Sequence, residues 1–310
     1  MSQLAFVFPG QGAQKVGMLA EAAAEFAEIQ ETFQQASDAL GYDLWALAQN
    51  GPQEELNLTE VTQPLLLTSS IALWRVWTAR GGSLPAYMAG HSLGEYSALV
   101  ASDVVSFEDA VALVRNRGRY MQEAVPVGHG AMSAVIGLDD EAIVATCQEL
   151  STEGAVVEAV NFNTPGQVVI AGHEQAVQQA GDALKSSGAK RVMPLPVSAP
   201  FHTSLMQPAA EKLADDIAAI AFSAPRIPIV HNVCASPEQD PAKIKSLMID
   251  QTASPVLWTG CVGYILAQGV ADFVECGPGK ALTGMVKKID RDAAASGIEA
   301  PSSLLAKLES

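Results

Sequence analysis

The sequence predicts an α/β protein organised around a mostly parallel sheet. Short apolar runs typical of strands alternate with segments whose apolar residues recur at helical spacing, and turns containing glycine separate the two. Hydrophobic residues make up 49% of the 310 residues and charged residues only 17%, a balance typical of a folded chain with a sizeable buried core.

The first third of the chain supplies strand, turn and helix in repeated order. Leu4–Phe8 predicts a strand that ends at the turn PGQG, and helical patterning begins at about Met18. The next predicted elements, in order, are a helix over Pro64–Trp77 with the proline in its first turn, a strand over Ala86–Ala89, and helices over Glu95–Ala101 and Phe107–Gln122.

The middle third predicts a separate β-α-β-β-α-β unit, the ferredoxin-like arrangement. Its elements are Ala131–Gly137, Asp140–Leu150, Val156–Phe162, Gln167–Gly172, Glu174–Ser186 and Arg191–Pro196. The turn NTPG joins the two central strands as a hairpin. We therefore expect a subdomain over 128–197 inserted into a core formed by 1–127 and 198–310.

The last third returns to the α/β pattern. Leu205, Ala209, Leu213, Ile217 and Ile220 give a predicted helix one apolar face. Two further strands follow, over Pro228–Val233 and over Asp272–Glu275, and the second ends at the turn GPGK.

The amino-acid composition narrows the range of functions that this protein could have. The net charge of −16 argues against nucleic acid as a partner, because a polyphosphate requires basic surface. No apolar stretch reaches the length of a membrane span, and the first residues lack a basic segment, so we expect a cytoplasmic protein. Four widely spaced cysteines, Cys147, Cys234, Cys261 and Cys276, indicate buried thiols, not a metal site or a disulfide framework.

One short stretch suggests nucleophilic chemistry. Gly90-His91-Ser92-Leu93-Gly94 fits G-x-S-x-G, in which a strained strand-to-helix turn exposes a serine hydroxyl and the helix N-terminus offers backbone N–H groups to an oxyanion. The apolar run before it and the helical pattern after it favour this interpretation over a tight turn without chemistry.

A serine nucleophile needs a base, and the chain has five histidines. His91 adjoins the serine on a sharp turn and points elsewhere, while His129 and His173 belong to the region of the inserted unit. His231 lies within an apolar strand and is expected in the core. Position favours His202, which follows the loop SAPF at a strand end, without deciding the matter.

Two glycine loops are candidate anion-binding sites. Phe8-Pro9-Gly10-Gln11-Gly12 could bring a backbone N–H close to the serine and so complete an oxyanion hole with the N–H of Leu93. Neither this loop nor Gly277-Pro278-Gly279-Lys280 has the spacing of a nucleotide-binding loop.

The residues resemble a known family, the malonyl-CoA:acyl carrier protein transacylases of dissociated fatty acid synthesis. The resemblance runs nearly end to end and rests on FVFPGQGAQKVGM (6–18), TQPLLLTSSIALWRVW (62–77), GHSLGEYSAL (90–99), RGRYMQEAVP (117–126), NFNTPGQVVIAG (161–172), PVSAPFHTSLM (196–206), the glutamine at 251, SPV (254–256) and ECGPGKALTGMVK (275–287). It implies an α/β-hydrolase-like core carrying the ferredoxin-like insertion.

The resemblance also implies roles for particular residues. Ser92 would be the acylated nucleophile, and His202 its base, oriented by the side-chain carbonyl of Gln251. The N–H groups of Gln11 and Leu93 would form the oxyanion hole. Arg117 would hold the malonyl carboxylate, while Gln63, His91 and Asn161 would lie near the pocket and Phe201 would accompany a preference for unbranched malonyl groups.

For several of these residues the sequence leaves a plainer alternative. Arg117 is one of three arginines on its predicted helix, and without the resemblance a surface ion pair would be the better interpretation. Phe201 could simply pack its loop. The basic cluster Lys280, Lys287, Lys288 and Arg291 suggests a docking site for an acidic carrier protein or, equally, a solvated helix face.

The sequence therefore predicts a monomeric acyltransferase that loads Ser92 from malonyl-CoA and passes the malonyl group to the phosphopantetheine thiol of acyl carrier protein. It implies no metal or redox cofactor. The alternatives are a serine hydrolase on the same framework, disfavoured by the missing acidic partner of the histidine, and a non-catalytic docking module, disfavoured by the intact Ser92, His202 and Arg117.

Overall fold

The computed structural model describes residues 4–197 and 199–310. Within them the strands are β1 (Leu4–Phe8), β2 (Tyr87–Gly90), β3 (Gly130–Ile136), β4 (Val157–Thr164), β5 (Gln167–His173), β6 (Arg191–Pro194), β7 (Ile229–His231), β8 (Ser236–Pro237), β9 (Asp272–Glu275) and β10 (Ala294–Gly297).

The helices surround these strands. They are α1 (Ala20–Glu25), α2 (Ala27–Leu40), α3 (Leu44–Asn50), α4 (Gln53–Leu56), α5 (Thr59–Ala79), α6 (Leu93–Ala101), α7 (Phe107–Ala124), α8 (Asp140–Leu150), α9 (Glu174–Ser186), α10 (Gln207–Ala219), α11 (Pro241–Asp250), α12 (Trp258–Ala267), α13 (Ala281–Ile289) and α14 (Pro301–Leu308). Short 3₁₀ turns cover Ser204–Met206 and Gln251–Ala253. No helix in the described ranges is both long and apolar enough to cross a membrane.

The larger sheet is parallel, as the sequence predicts, apart from one short edge strand. Its order is β10-β9-β1-β2-β7-β8, and only β8 runs antiparallel to its neighbour. Alternate residues of the central strand β1 point to opposite faces. Phe6 and Phe8 pack into the cluster formed with α2, α5, α6 and α7, whereas Ala5 and Val7 pack against α12 and α13. Helices therefore bury both faces of the sheet.

The second sheet is antiparallel, in the order β4-β5-β3-β6. One of its faces packs on α8 and α9, and the other carries Met132 and Val169 towards Phe201. Main-chain hydrogen bonds join β4 to the segment before α12, from Phe162 N to Val256 O at 3.0 Å and from Val256 N to Val160 O at 2.8 Å. The second sheet is thereby fixed against the larger one.

The structure corrects one boundary. The sequence predicts Pro64 in the first turn of its helix, but α5 begins at Thr59 and places Pro64 in its interior. The residues before the proline include the buried polar side chains of Thr62 and Gln63, which apolar periodicity does not detect. Helix α5 therefore begins earlier than the apolar pattern indicates.

Candidate active site

A small cavity lies at the carboxyl ends of β1 and β2, the edge of a parallel sheet where loops converge. Its volume is about 110 Å³. The described residues that line it come from both sheets and their loops: Gln11, Gln63, His91, Ser92, Leu93, Arg117, Met121, Met132, Asn161, Leu195, Val197, Phe201 and His202. Every predicted site residue except Gln251 is in this lining, and Gln251 lies directly behind it.

Ser92 occupies the sharp turn between β2 and α6. Its backbone has φ 51° and ψ −107°, a conformation that residues other than glycine rarely adopt. Asn232, the residue after β7, holds the turn by accepting from Ser92 N at 2.7 Å and donating to Gly90 O at 2.7 Å. The strained turn that G-x-S-x-G predicts is therefore present, and a second strand end fixes it.

The glycines of the motif permit a close approach of the backbone. A Cβ on Gly90 would lie 1.9 Å from the carbonyl carbon of Gly94, and a Cβ on Gly94 would lie 2.0 Å from Phe8 O. No flexible side chain is available to move aside at either point, because the nearest atoms are backbone. Both positions require glycine for the turn to pack against β1.

His202 meets the serine from the loop that precedes α10. Its Nε2 lies 2.7 Å from Ser92 Oγ, and its Nδ1 lies 2.9 Å from the main-chain oxygen of Gln251. A carbonyl oxygen can only accept, so Nδ1 carries the hydrogen and the serine hydroxyl donates to Nε2. The orienting atom is therefore not the side-chain carbonyl of Gln251, as the family resemblance implies, because that side chain contacts Arg117, Ser92 O and Glu95 instead.

The imidazole is held neutral. Burial and the nearby positive charge of Arg117 lower the pKa of His202 to about 3, and the contact with Gln251 only partly opposes them. At neutral pH Nε2 is therefore free to accept a proton.

Arg117 lies on α7 with 1% of its surface exposed. Its Nη1 donates to Gln63 Oε1 at 2.8 Å, and its Nη2 donates to Gln251 Oε1 at 2.8 Å and to Ser92 Oγ at 3.3 Å. Across the described residues no carboxylate forms a salt bridge with it. Burial lowers its pKa, the direction expected for a cation without a direct counter-ion.

A buried carboxylate lies behind these groups. Glu95 on α6 is fully buried, and its Oε2 accepts from Gln251 Nε2 at 2.7 Å and from Asn232 N at 3.1 Å. Its Oε1 lies 2.7 Å from His231 Nδ1. Sequence reasoning missed both Glu95 and Asn232. The signal for Glu95 was a lone charge in the otherwise uncharged run LGEYSALVA.

The two residues predicted to supply the oxyanion donors line the same cavity. Leu93 begins α6, so its N–H has no partner within its own helix. Gln11 lines the same cavity from the turn after β1, and its side chain accepts from Thr59 Oγ1 at 2.6 Å. A Cβ on Gly10 would lie 2.4 Å from His91 O, so glycine there lets this turn approach the serine turn.

The remaining predicted residues differ in their partners. His91 Nε2 lies 2.7 Å from Asn163 Oδ1, and burial lowers the pKa of His91. Asn161 sits at an irregularity in β4, and its Oδ1 is buried without a hydrogen-bond partner among the described residues. Phe201 packs between the second sheet and α7 while lining the cavity. Over the described ranges, no cluster of His, Cys, Asp or Glu side chains is placed to hold a metal ion.

Comparison with known proteins places the chain in one family. The acyl transferase domain family matches residues 5–300. The malonyl CoA-acyl carrier protein transacylase of Salmonella typhimurium is 59% identical over 308 residues, covering 99% of both chains. The protein of the same name from Bacillus subtilis is 45% identical over 291 residues, covering 94% of this chain and 92% of that one.

Solved structures agree over the whole chain. The malonyl CoA-acyl carrier protein transacylase of Coxiella burnetii superposes with a TM-score of 0.98 at 48% identity, covering 99% of this chain and 97% of that one. A malonyl-transacylase solved in complex with its type II polyketide synthase acyl-carrier protein superposes with a TM-score of 0.98 at 52% identity, covering 99% of each chain.

Proposed function

The chain belongs to the acyl transferase family, within the malonyl-CoA:acyl carrier protein transacylases, and we propose that it transfers its malonyl group through an ester on Ser92. The overall reaction moves malonyl from malonyl-CoA to acyl carrier protein and serves fatty acid synthesis. The observation that carries the proposed site is the buried guanidinium of Arg117, 3.3 Å from the serine hydroxyl and surrounded by neutral amides.

In the loading half-reaction His202 acts as the base. Its Nε2 takes the proton of Ser92 as Oγ attacks the thioester carbonyl, forming a tetrahedral oxyanion. The carbon–sulfur bond then breaks, and the Nε2 proton goes to the sulfur of coenzyme A. The 2.7 Å contact supports this role, because the neutral imidazole already accepts from the hydroxyl.

We assign the oxyanion to the N–H groups of Gln11 and Leu93. Fixed donors at the position where negative charge develops stabilise the tetrahedral species more than the planar ester. The position of Leu93 at the start of α6 adds the positive end of the helix dipole.

Arg117 binds the free carboxylate of the malonyl group. A planar guanidinium pairs with a carboxylate through two hydrogen bonds, and the pair is strong in a site without water. Gln63 and Gln251 hold the guanidinium in place through neutral oxygens, which a carboxylate can displace without removing a competing charge. An acyl group without a carboxylate leaves the cation uncompensated, and this gives selectivity.

In the second half-reaction the phosphopantetheine thiol of the carrier protein takes the place of coenzyme A. Nε2 of His202 removes the thiol proton, the sulfur attacks the ester carbonyl, and Ser92 Oγ leaves with the Nε2 proton. Atoms balance over the cycle and the enzyme returns unchanged, so the chemistry requires no added cofactor. His91, Asn161 and Phe201 shape the walls around the acyl group.

We assign the architecture more finely on the same basis. The order β4-β5-β3-β6, with α8 and α9 on one face, supports a ferredoxin-like subdomain over 128–197. The strand–Ser92–helix turn in the parallel sheet supports an α/β-hydrolase-like core over 1–127 and 198–310. One chain supplies the whole site, in keeping with a monomer. Its free cysteines suit the reducing cytoplasm; three are buried as the sequence predicts, but Cys234 is exposed.

Intact-mass spectrometry after incubation with malonyl-CoA tests the proposal. We expect a malonyl adduct on the wild-type chain that disappears on addition of carrier protein and is absent from Ser92→Ala. Release of coenzyme A to water at the same rate with and without carrier protein would instead identify a hydrolase. An unmodified wild-type chain would contradict the covalent intermediate.

A further inference from the structure

Glu95 reaches Arg117 through a single amide group. Its Oε2 accepts from Gln251 Nε2 at 2.7 Å, and the Oε1 of the same amide accepts from Arg117 Nη2 at 2.8 Å. Gln251 Nε2 also donates to Ser92 O at 3.0 Å, which fixes the amide in this orientation. A buried anion and a buried cation are thus held apart by one neutral side chain.

The surroundings of Glu95 are those of an ionised carboxylate. Three N–H groups converge on its two oxygens, from Gln251, from the main chain of Asn232 and from His231 Nδ1. Because a carboxylate only accepts, Nδ1 of His231 must carry the hydrogen. The other ring nitrogen of His231 is buried and has no acceptor among the described residues, an arrangement that suits a neutral ring. The negative charge of Glu95 is therefore available to compensate another group.

We infer that Glu95 is an insulated counter-ion for Arg117: it offsets the buried guanidinium through the Gln251 amide, so that only neutral oxygens, and no protein carboxylate, occupy the groups that bind the substrate carboxylate. A buried charge without compensation is strongly destabilising, yet a direct salt bridge would occupy the groups that must bind the substrate. The amide meets both requirements. Glu95 is a positioning residue under this inference, since its carboxylate does not contact the serine hydroxyl and the residue is absent from the cavity lining.

This inference rests on the proposed role of Arg117 and predicts an unusual direction of change. Glu95→Gln keeps the shape of the side chain. Its amide oxygen can still accept from Gln251 and Asn232, while its NH₂ group faces His231 in the other ring tautomer. The negative charge is lost, and the His231 hydrogen moves to a buried nitrogen without an acceptor among the described residues, which lowers stability. Arg117 is then less compensated when empty and attracts an anion more strongly.

Free malonate is the probe, with its dissociation constant measured by calorimetry on the full chain. At an effective dielectric constant of about 20, removing a unit charge that a single amide separates from the binding cation corresponds to on the order of 10-fold tighter binding. We expect Glu95→Gln to bind malonate tighter by that factor while unfolding at a lower temperature. Unchanged or weaker binding would overturn the inference, because a purely structural Glu95 predicts one of those results.

Two controls separate this inference from the proposed function. Arg117→Met should abolish malonate binding; if it does not, the proposed carboxylate site itself is wrong. Glu275→Gln removes another buried carboxylate, which accepts from Leu282 N at 3.1 Å and Thr283 N at 2.7 Å and is absent from the cavity lining. It should lower stability and leave malonate affinity at the wild-type value.

A double variant keeps the test decisive if Glu95→Gln alone does not fold. Glu95→Gln combined with Arg117→Met removes both charges, so no buried ion is left without its counterpart. We expect this double variant to unfold at or above the temperature of Arg117→Met alone. A lower unfolding temperature would mean that Glu95 serves hydrogen bonding only, and the counter-ion role would be lost.

Discussion

Replacing Arg117 by alanine is the sharpest test of substrate recognition. The guanidinium is 1% exposed, and both terminal nitrogens donate at 2.8 Å to amide oxygens. The pair that we propose it forms with a malonyl carboxylate would therefore be desolvated. Losing such a pair costs ~2–5 kcal/mol of transition-state binding, which corresponds to a roughly 30- to 4,000-fold fall in kcat/KM for malonyl-CoA.

The assay compares two donors in a rapid-quench measurement of Ser92 acylation. With malonyl-CoA the kcat/KM of acylation should fall by the factor above. Acetyl-CoA has no carboxylate for Arg117 to bind, so the ratio of acetyl loading to malonyl loading should rise. Arg119→Ala is the matched control, because Arg119 lies on the same helix, is 48% exposed and is 3.9 Å from Glu123. An unaltered malonyl preference in Arg117→Ala would refute the assigned role.

Three further predictions follow from the same geometry. Gln251→Glu should slow malonyl loading in stopped-flow assays, because a carboxylate there would pair directly with Arg117; faster loading would contradict this. Burial lowers the pKa of His202 to about 3 and also lowers that of His91, so their neutral forms stabilise the fold fully above pH 6.5 and progressively less as the pH falls. For His202 alone the loss is about 2 kcal/mol between pH 6.5 and 5, and a free energy of unfolding that stays constant over that range would refute it. Charge reversal at the exposed Lys287–Lys288 pair should raise the KM for carrier protein without changing loading from malonyl-CoA; an unchanged KM would remove this surface from carrier docking.

The sequence predicted two strands of the larger sheet to the residue, each from a short apolar run that a turn follows. The strand over Leu4–Phe8 and the strand over Asp272–Glu275 match the structure residue for residue. Both lie inside a sheet covered on two faces, where buried strands carry apolar runs: all of Leu4–Phe8 is apolar, whereas in Asp272–Glu275 only the central Phe273 and Val274 are. Helix boundaries were less certain where buried polar residues interrupt the pattern, as Thr62 and Gln63 do ahead of Pro64.

The sequence located the site through one motif and a family resemblance, but not its internal contacts. The atom that orients His202 is a main-chain oxygen, and the path of a backbone loop cannot be read from the identity of Gln251. Glu95 and Asn232 act on the serine turn from positions 3 and 140 residues away in the chain. These polar groups meet only in the folded protein, so their spacing along the sequence does not predict their contacts.

The main-chain contact to His202 has an evolutionary consequence. No replacement of the side chain at position 251 can delete the oxygen that aligns the imidazole, since every amino acid carries it. The side-chain amide of Gln251, by contrast, contacts the guanidinium of Arg117, which we propose binds the carboxylate of the acyl group. We therefore expect substitutions at position 251 to change which acyl thioesters are accepted while His202 stays aligned with Ser92. New acyl preferences could then evolve through intermediates that remain active.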